Sequence, residues 1–233
     1  MISLKPQDIV VLLKLGLEPE DATRPFARLG ADLGISASEV HASVTRTGAA
    51  GLADTDRRKP RVRNLLEFLE HGIRYVFISR RGEITRGFPT AHSAPPLNNL
   101  VVQGPSYQPG LLAKMYRSGE AHSNANIPPY AGALGQPGPL AKMYGNLTST
   151  SPSLKDEPGI LARMFGDPPL VWPHPEGKVR GESFEPLFPS AVDAARRDSK
   201  LYECLALVDA LRIGRAREKK LAIDLLAKRL RTP

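Results

Sequence analysis

Cysteine, tryptophan and histidine are all scarce in this chain. There is one cysteine, one tryptophan and five histidines in 233 residues. A lone Cys204 excludes an intrachain disulfide, and its apolar surroundings predict a buried small hydrophobe rather than a reactive thiol. No two of His41, His71, His92, His122 and His174 stand at metal-ligand spacing, and there is no cysteine pair, so no zinc centre is expected. No glycine-rich phosphate loop follows a strand, and no serine sits in a nucleophile elbow. The carboxylates are scattered along helical stretches, where solvated or paired faces are normal. These absences predict a protein that is not an enzyme and carries no cofactor. Long apolar runs are also missing. The first one, after Lys5-Pro6-Gln7-Asp8, is short and has no small-residue cleavage site behind it. The expectation is a cytoplasmic protein with no membrane span.

What the chain does have is an internal repeat. Pro-Gly-Leu-Leu-Ala-Lys-Met-Tyr begins at Pro109, Pro-Gly-Pro-Leu-Ala-Lys-Met-Tyr at Pro137, and Pro-Gly-Ile-Leu-Ala-Arg-Met-Phe at Pro158. The spacing between copies is unequal, which fits no solenoid. The flanks are rich in Gly, Pro, Asn and Ser. One copy cannot bury enough apolar surface to fold alone, so residues 98–170 read as a flexible, disordered repeat insert. Three readings stay open for it. The copies are motifs for a protein partner, with Leu112, Met115, Tyr116, Leu140, Met143, Tyr144, Leu161, Met164 and Phe165 as anchors and avidity from tethering. Alternatively they dock on their own domain, or they are a neutral expansion.

Residues 1–97 and 171–233 then have to share one core. Their periodicity is mainly helical. Ile9, Leu12 and Leu13 mark one helix, with Val10 and Val11 widening its face; Phe26, Leu29 and Leu33 mark a second. Leu65, Leu66, Phe68 and Leu69 mark another. Arg74-Tyr75-Val76-Phe77-Ile78 reads as a strand, with Ile84 to Phe88 as its hairpin partner. Beyond the insert, Val171-Trp172-Pro173 is extended, and Phe184 to Phe188 reads as a short edge strand. Leu201, Cys204, Leu205, Val208 and Leu211 form a stripe suited to a dimer seam, and Asp209, Arg212, Arg215 and Glu218 alternate in sign near Gly214.

The strongest functional pattern lies at 26–52. Two helices are joined by Gly34-Ile35-Ser36. The second opens with Ser36-Ala37-Ser38-Glu39, a capping box, and Gly51 stops it. Its start is lined with small residues, which would let it approach DNA closely. Ser38, His41 and Thr45 offer hydrogen bonds to base edges, and Arg46 is long enough to reach the backbone. Arg57-Arg58-Lys59-Pro60-Arg61-Val62-Arg63 follows, with five cations in seven residues. The net charge of +8 permits an anionic partner.

On Leu33-Gly34-Ile35-Ser36, Val40, Val44 and Ala50-Gly51-Leu52 the chain resembles winged helix-turn-helix regulators of the MarR-like kind. His71-Gly72-Ile73-Arg74-Tyr75-Val76-Phe77, Pro89-Thr90-Ala91-His92 and Leu207-Val208-Asp209-Ala210-Leu211-Arg212 are similar to that group more loosely. The resemblance implies a recognition helix at 36–49 in the major groove, a β-hairpin wing and a homodimer joined by terminal helices. It assigns DNA recognition to Ser38, His41, Thr45 and Arg46; the charge run itself points Arg57, Arg58, Lys59, Arg61 and Arg63 to phosphates. The wing is either the 53–63 segment or the 74–88 hairpin. The expected fold is α+β and mostly helical: a winged helix-turn-helix at 1–97, completed by a strand and C-terminal helices at 171–233. The expected function is dimeric transcriptional regulation on double-stranded DNA; the competing class is a non-enzymatic, antitoxin-like interaction scaffold whose repeats bind a protein partner.

Overall fold

The computed structural model describes residues 3–19, 24–100 and 168–231. The repeats and all nine of their anchor residues lie outside that set. The described residues on either side of the insert belong to one compact unit. It is α+β and mainly helical.

Eight α-helices occur among the described residues. They are α1 (Pro6–Gly16), α2 (Phe26–Leu33), α3 (Ala37–Ala49), α4 (Val62–His71), α5 (Ile73–Val76), α6 (Ala191–Arg197), α7 (Ser199–Ile213) and α8 (Ala216–Arg231). Pro6 starts α1, where a missing N–H costs nothing, and Asp8 accepts a hydrogen bond from the Lys5 amide at 2.8 Å. Two helices form the centre. In α1 every residue from Ile9 to Leu13 is buried, and in α7 every residue from Cys204 to Arg212. A helix apolar on all sides is a core helix.

This overturns the dimer seam. Leu201, Cys204, Leu205, Val208 and Leu211 are all at most 2 % exposed inside a single chain. The stripe is real, but α1, α6, α8 and the 3₁₀ turn Ala91–Ser93 surround it.

Arg74 to Ile78 is not a strand. Ile73 and Phe77 are buried four residues apart, the helical repeat, while Tyr75 and Val76 point outward. The 74–88 hairpin therefore does not form. The long strand β3 (Arg81–Pro89) pairs instead with two segments from beyond the insert, β4 (Leu170–Pro173) and β5 (Val179–Phe184). The third strand ends at Phe184, so the edge strand expected from Phe184 to Phe188 lies one element too late. Both β4 and β5 run antiparallel to β3 and parallel to each other, which closes the three strands into a small ring. A ring this tight leaves no room for side chains at its closest approaches. A Cβ at Gly87 would lie 2.0 Å from the Trp172 carbonyl oxygen, and one at Gly181 would lie 2.0 Å from that of Pro169.

The ring is tied to α7 by a buried polar cluster. The Asp209 carboxylate accepts from the Thr90 hydroxyl and the Trp172 indole N–H, both at 2.7 Å, and from Arg212 at 2.8 Å. Arg212 also donates to the carbonyls of Phe77 and Glu185. Burial pushes the Asp209 carboxyl above its usual range, against the pull of Arg212 and the other donors. Each partner satisfies a group that would be costly to bury alone.

Candidate nucleic-acid interface

The turn between α2 and α3 takes three residues. Gly34 adopts φ +69°, the left-handed region where a side chain is strained, and ends α2. The Ile35 amide returns to the Gly30 carbonyl at 2.9 Å, so close that a Cβ on Gly30 would sit 2.5 Å from the Ile35 oxygen. Ser36 then caps α3, its hydroxyl accepting from the Glu39 amide at 3.1 Å. The far end of α3 closes on a Schellman motif. The Leu52 amide reaches the Thr47 carbonyl at 2.8 Å, the Gly51 amide reaches Gly48 at 2.9 Å, and Gly51 has φ +73°. Val40, Val44 and Thr47 face inward.

That orientation turns Ser38, His41 and Thr45 outward, and all three are exposed. They lie at helical spacings of three and four, so they share one face of α3. Thr45 donates to the His41 carbonyl at 3.1 Å, leaving its lone pairs outward. The His41 ring stands edge-on to Phe26, 5.5 Å between centroids.

A short antiparallel hairpin follows α3 directly: β1 (Ala53–Asp54) against β2 (Lys59–Pro60), with Ala53 opposite Pro60 and Asp54 opposite Lys59. The Asp54 carboxylate organises its loop by accepting the amides of Asp56 and Arg57, each at 3.0 Å. The Arg57 amide bond is the main reason this carboxyl sits below its usual range. Gly48 is where the helix touches the hairpin, since a Cβ there would meet the Thr55 methyl at 2.2 Å.

The nine residues expected to touch DNA divide into two groups. Ser38, His41 and Thr45 share the exposed face of α3, and Arg57, Arg61 and Arg63 are exposed on and just after the hairpin. The other three are half-buried and engaged by other parts of the protein. Arg46 donates from Nε and Nη2 to the Asp8 carboxylate at 3.0 and 2.6 Å, and from Nη2 to Glu39 at 2.6 Å. These carboxylates, Asp8 foremost, hold its guanidinium protonated well beyond the ordinary range. Glu39 is thereby drawn to Arg46 and Gln7, so the expected capping box is one-sided. Lys59 donates to the carbonyls of Glu18 at 2.9 Å and Pro19 at 2.7 Å, just past the C-terminal end of α1. The guanidinium of Arg58 lies 4.3 Å from the centroid of Phe26. Length and charge alone made these three look free; residues distant in sequence engage them.

Phe26 is the residue that sequence reasoning missed in this role. It read as a core position of α2, yet its ring touches both His41 and Arg58 and so ties the exposed face of α3 to the hairpin. Among the described residues no group of three His, Cys, Asp or Glu side chains could hold a metal ion. Nor is any described helix long and apolar enough to cross a membrane. Compared with known proteins, the chain matches no family model, no curated protein and no solved structure.

Proposed function

We propose that this protein is a DNA-binding transcriptional regulator of the winged helix-turn-helix, MarR-like kind. In this reading α3 enters the major groove, with Ser38, His41 and Thr45 reading base edges. The β1–β2 hairpin is a short wing. Arg57, Arg61 and Arg63 bind phosphates, while Arg46, Arg58 and Lys59 hold the elements that carry the DNA-facing residues. The observation that carries the reading is the exposed polar face of α3 beside a cation-bearing hairpin, with both ends of α3 fixed by tight caps. A reading helix needs that combination, because base recognition specifies only when the helix is held in one pose.

Two-fold binding would use a surface other than the 201–211 stripe. Among the described residues the most exposed large apolar side chains are Ile78 at 75 %, Tyr75 at 66 % and Val76 at 51 %, in and just after α5.

The test is binding to duplex DNA over a range of salt. The intact chain should bind with an affinity that falls steeply as salt rises. Changing Arg57, Arg61 and Arg63 together to Ala should flatten that dependence by about 0.9 in the log–log slope for each phosphate no longer neutralised. No salt-sensitive binding by the intact chain would remove the proposal.

A further inference from the structure

Helices α4 and α8 pack side by side and run in opposite directions. At one end, Leu230 of α8 and Pro60, just before α4, both face Gly16: a Cβ there would lie 2.7 Å from the first and 3.1 Å from the second. At the other end, Arg212, shortly before α8, donates to the carbonyl of Phe77, just after α5, at 3.1 Å. An open groove of about 1000 Å³ runs between the two helices. Leu66 from α4 and Ile223 and Ala227 from α8 give it an apolar floor, which Tyr75 continues at the α5 end.

Charge along this groove changes sign twice. Arg63 and Arg231 stand at the hairpin end, Glu67, Glu70 and Asp224 in the middle, and Arg74, Lys219 and Lys220 at the α5 end. All but Lys219 are exposed. Arg74 donates to the neighbouring Tyr75 hydroxyl and lies 4.4 Å from its ring centroid, and Glu70 is 3.7 Å from His71. The other six side chains have no hydrogen bond or ion pair among the described residues. Like charges gathered without counter-charges repel one another, and a partner of opposite sign relieves that repulsion.

We propose that this groove binds an amphipathic helix of a partner protein, with a cation at its centre and carboxylates near both ends. Both walls are helices, so an extended strand would find no sheet edge to pair with, whereas a helix satisfies its own backbone and needs only a trough. From Ala216 to Arg231 the trough is about 22 Å long, the length of a helix of about 15 residues. The occupant's apolar stripe lies on Leu66, Ile223 and Ala227. Its central lysine or arginine meets Glu67, Glu70 and Asp224. Its end carboxylates meet Arg63 and Arg231 on one side and Lys219 and Lys220 on the other. Duplex DNA fits this groove poorly, because it is anionic throughout and the three central carboxylates repel it. The proposal does not depend on α3 touching DNA.

The full-length chain would be titrated by calorimetry with a synthetic peptide of about 15 residues, held helical by a hydrocarbon staple. It carries a stripe of leucine and alanine, a lysine at its centre and glutamates at both ends. A control peptide keeps the stripe and exchanges the charges. The first should bind with a Kd below about 100 μM, and the control at least about tenfold more weakly. Lys220→Glu and Asp224→Lys, both at exposed positions of α8, should each weaken the first peptide by about tenfold. Asp224→Lys should in turn prefer a peptide whose central lysine is replaced by glutamate, a reversal that a merely structural role would not produce. Thermal melting establishes that each variant is folded, and the two peptides decide alone should a variant unfold. No binding of the first peptide up to about 1 mM, equal binding of the control, or folded variants that bind as tightly as the intact chain overturns the proposal. Loss of duplex-DNA binding in Lys220→Glu with no peptide binding would also overturn it, assigning the groove to nucleic acid.

Discussion

Arg46 on α3 grips the fully buried carboxylate of Asp8 on α1 with two hydrogen bonds, at 3.0 and 2.6 Å. Helix α3 is thereby fastened to the core by a side chain that the sequence alone would assign to DNA. Arg46→Ala leaves Asp8 buried without its partner. The expected loss is about 3–5 kcal/mol of stability, measured by urea unfolding. Because the pair is buried, that loss should persist in high salt, whereas the loss of a surface phosphate ligand would leave stability unchanged.

The same cluster predicts a pH response. Glu39 lies below its ordinary 4.5, first through the Arg46 hydrogen bond and then through Gln7. Asp198 lies below its ordinary 3.8: burial opposes ionisation, but the Lys14 hydrogen bond and the amides at the start of α7 outweigh it. A carboxyl depressed in the folded state contributes stability that is fully present above its unfolded value and is lost as pH falls through the folded one. Stability should therefore decline as pH falls below about 4.5. Glu39→Gln should reduce the part of the decline that begins at the higher end. A melting temperature that rises on acidification through this window would contradict the assignment.

Lys59 and Arg57 sit two residues apart in one hairpin and should behave differently. Lys59→Ala removes the donor to the carbonyls of Glu18 and Pro19, so it should cost about 1–3 kcal/mol of stability. It should leave the salt dependence of DNA binding unchanged. Arg57→Ala should do the reverse, leaving stability within about 0.5 kcal/mol and lowering the slope. Paired melting curves and salt titrations of the two variants check this.

Leu205→Ala tests the place of α7. In a dimer seam it would shift the monomer–dimer balance and little else. At 1 % exposure in the core of one chain, it should cost about 2–5 kcal/mol, independent of protein concentration. Denaturation at two concentrations a hundredfold apart would show no displacement of the midpoint arising from this stripe.

Cys204 supplies a cheap probe of cooperative unfolding. It is fully buried on α7, and desolvation, acting first, pushes its thiol up to about 12. At neutral pH a disulfide reagent should react with it only as fast as the protein opens, and the rate should rise with urea as the global unfolding equilibrium does. Fast labelling of native protein would place Cys204 at a surface.

Much of the helical part was legible because its signals are local. The Ser36 cap, the Gly34 turn and the Gly51 stop each act within a few residues, so the positions of α2 and α3 follow from neighbouring side chains. What was not legible depended on distant partners. The stripe on α7 has the same period whether it meets another copy or its own chain, and only α1, α6 and α8 decide between them. Tyr75 and Val76 have the side chains of a strand, yet Ile73 and Phe77 bury at a spacing of four, and tertiary packing overrode the local preference. The partners of β3 lie beyond the insert, which no hairpin rule anticipates. Arg46, Arg58 and Lys59 read as free cations because nothing in their own segments shows Asp8, Phe26 or the carbonyls after α1. Two of the loosely family-like phrases converge: Thr90 from one and Asp209 and Arg212 from the other meet in a single buried cluster.

The core interleaves the two ends of the chain, and this sets a schedule for synthesis. A ribosome that has passed Arg63, in the first turn of α4, has made the whole candidate surface. It has not yet made α7, against which α1 packs, or the two strands that close on β3. Until residues 168–231 emerge, α1 lacks the later helix that packs on it and β3 lacks both of its partner strands. Premature termination within the insert would release a product unable to hold its helices, so a truncated copy should be cleared by proteolysis instead of competing with the full-length protein.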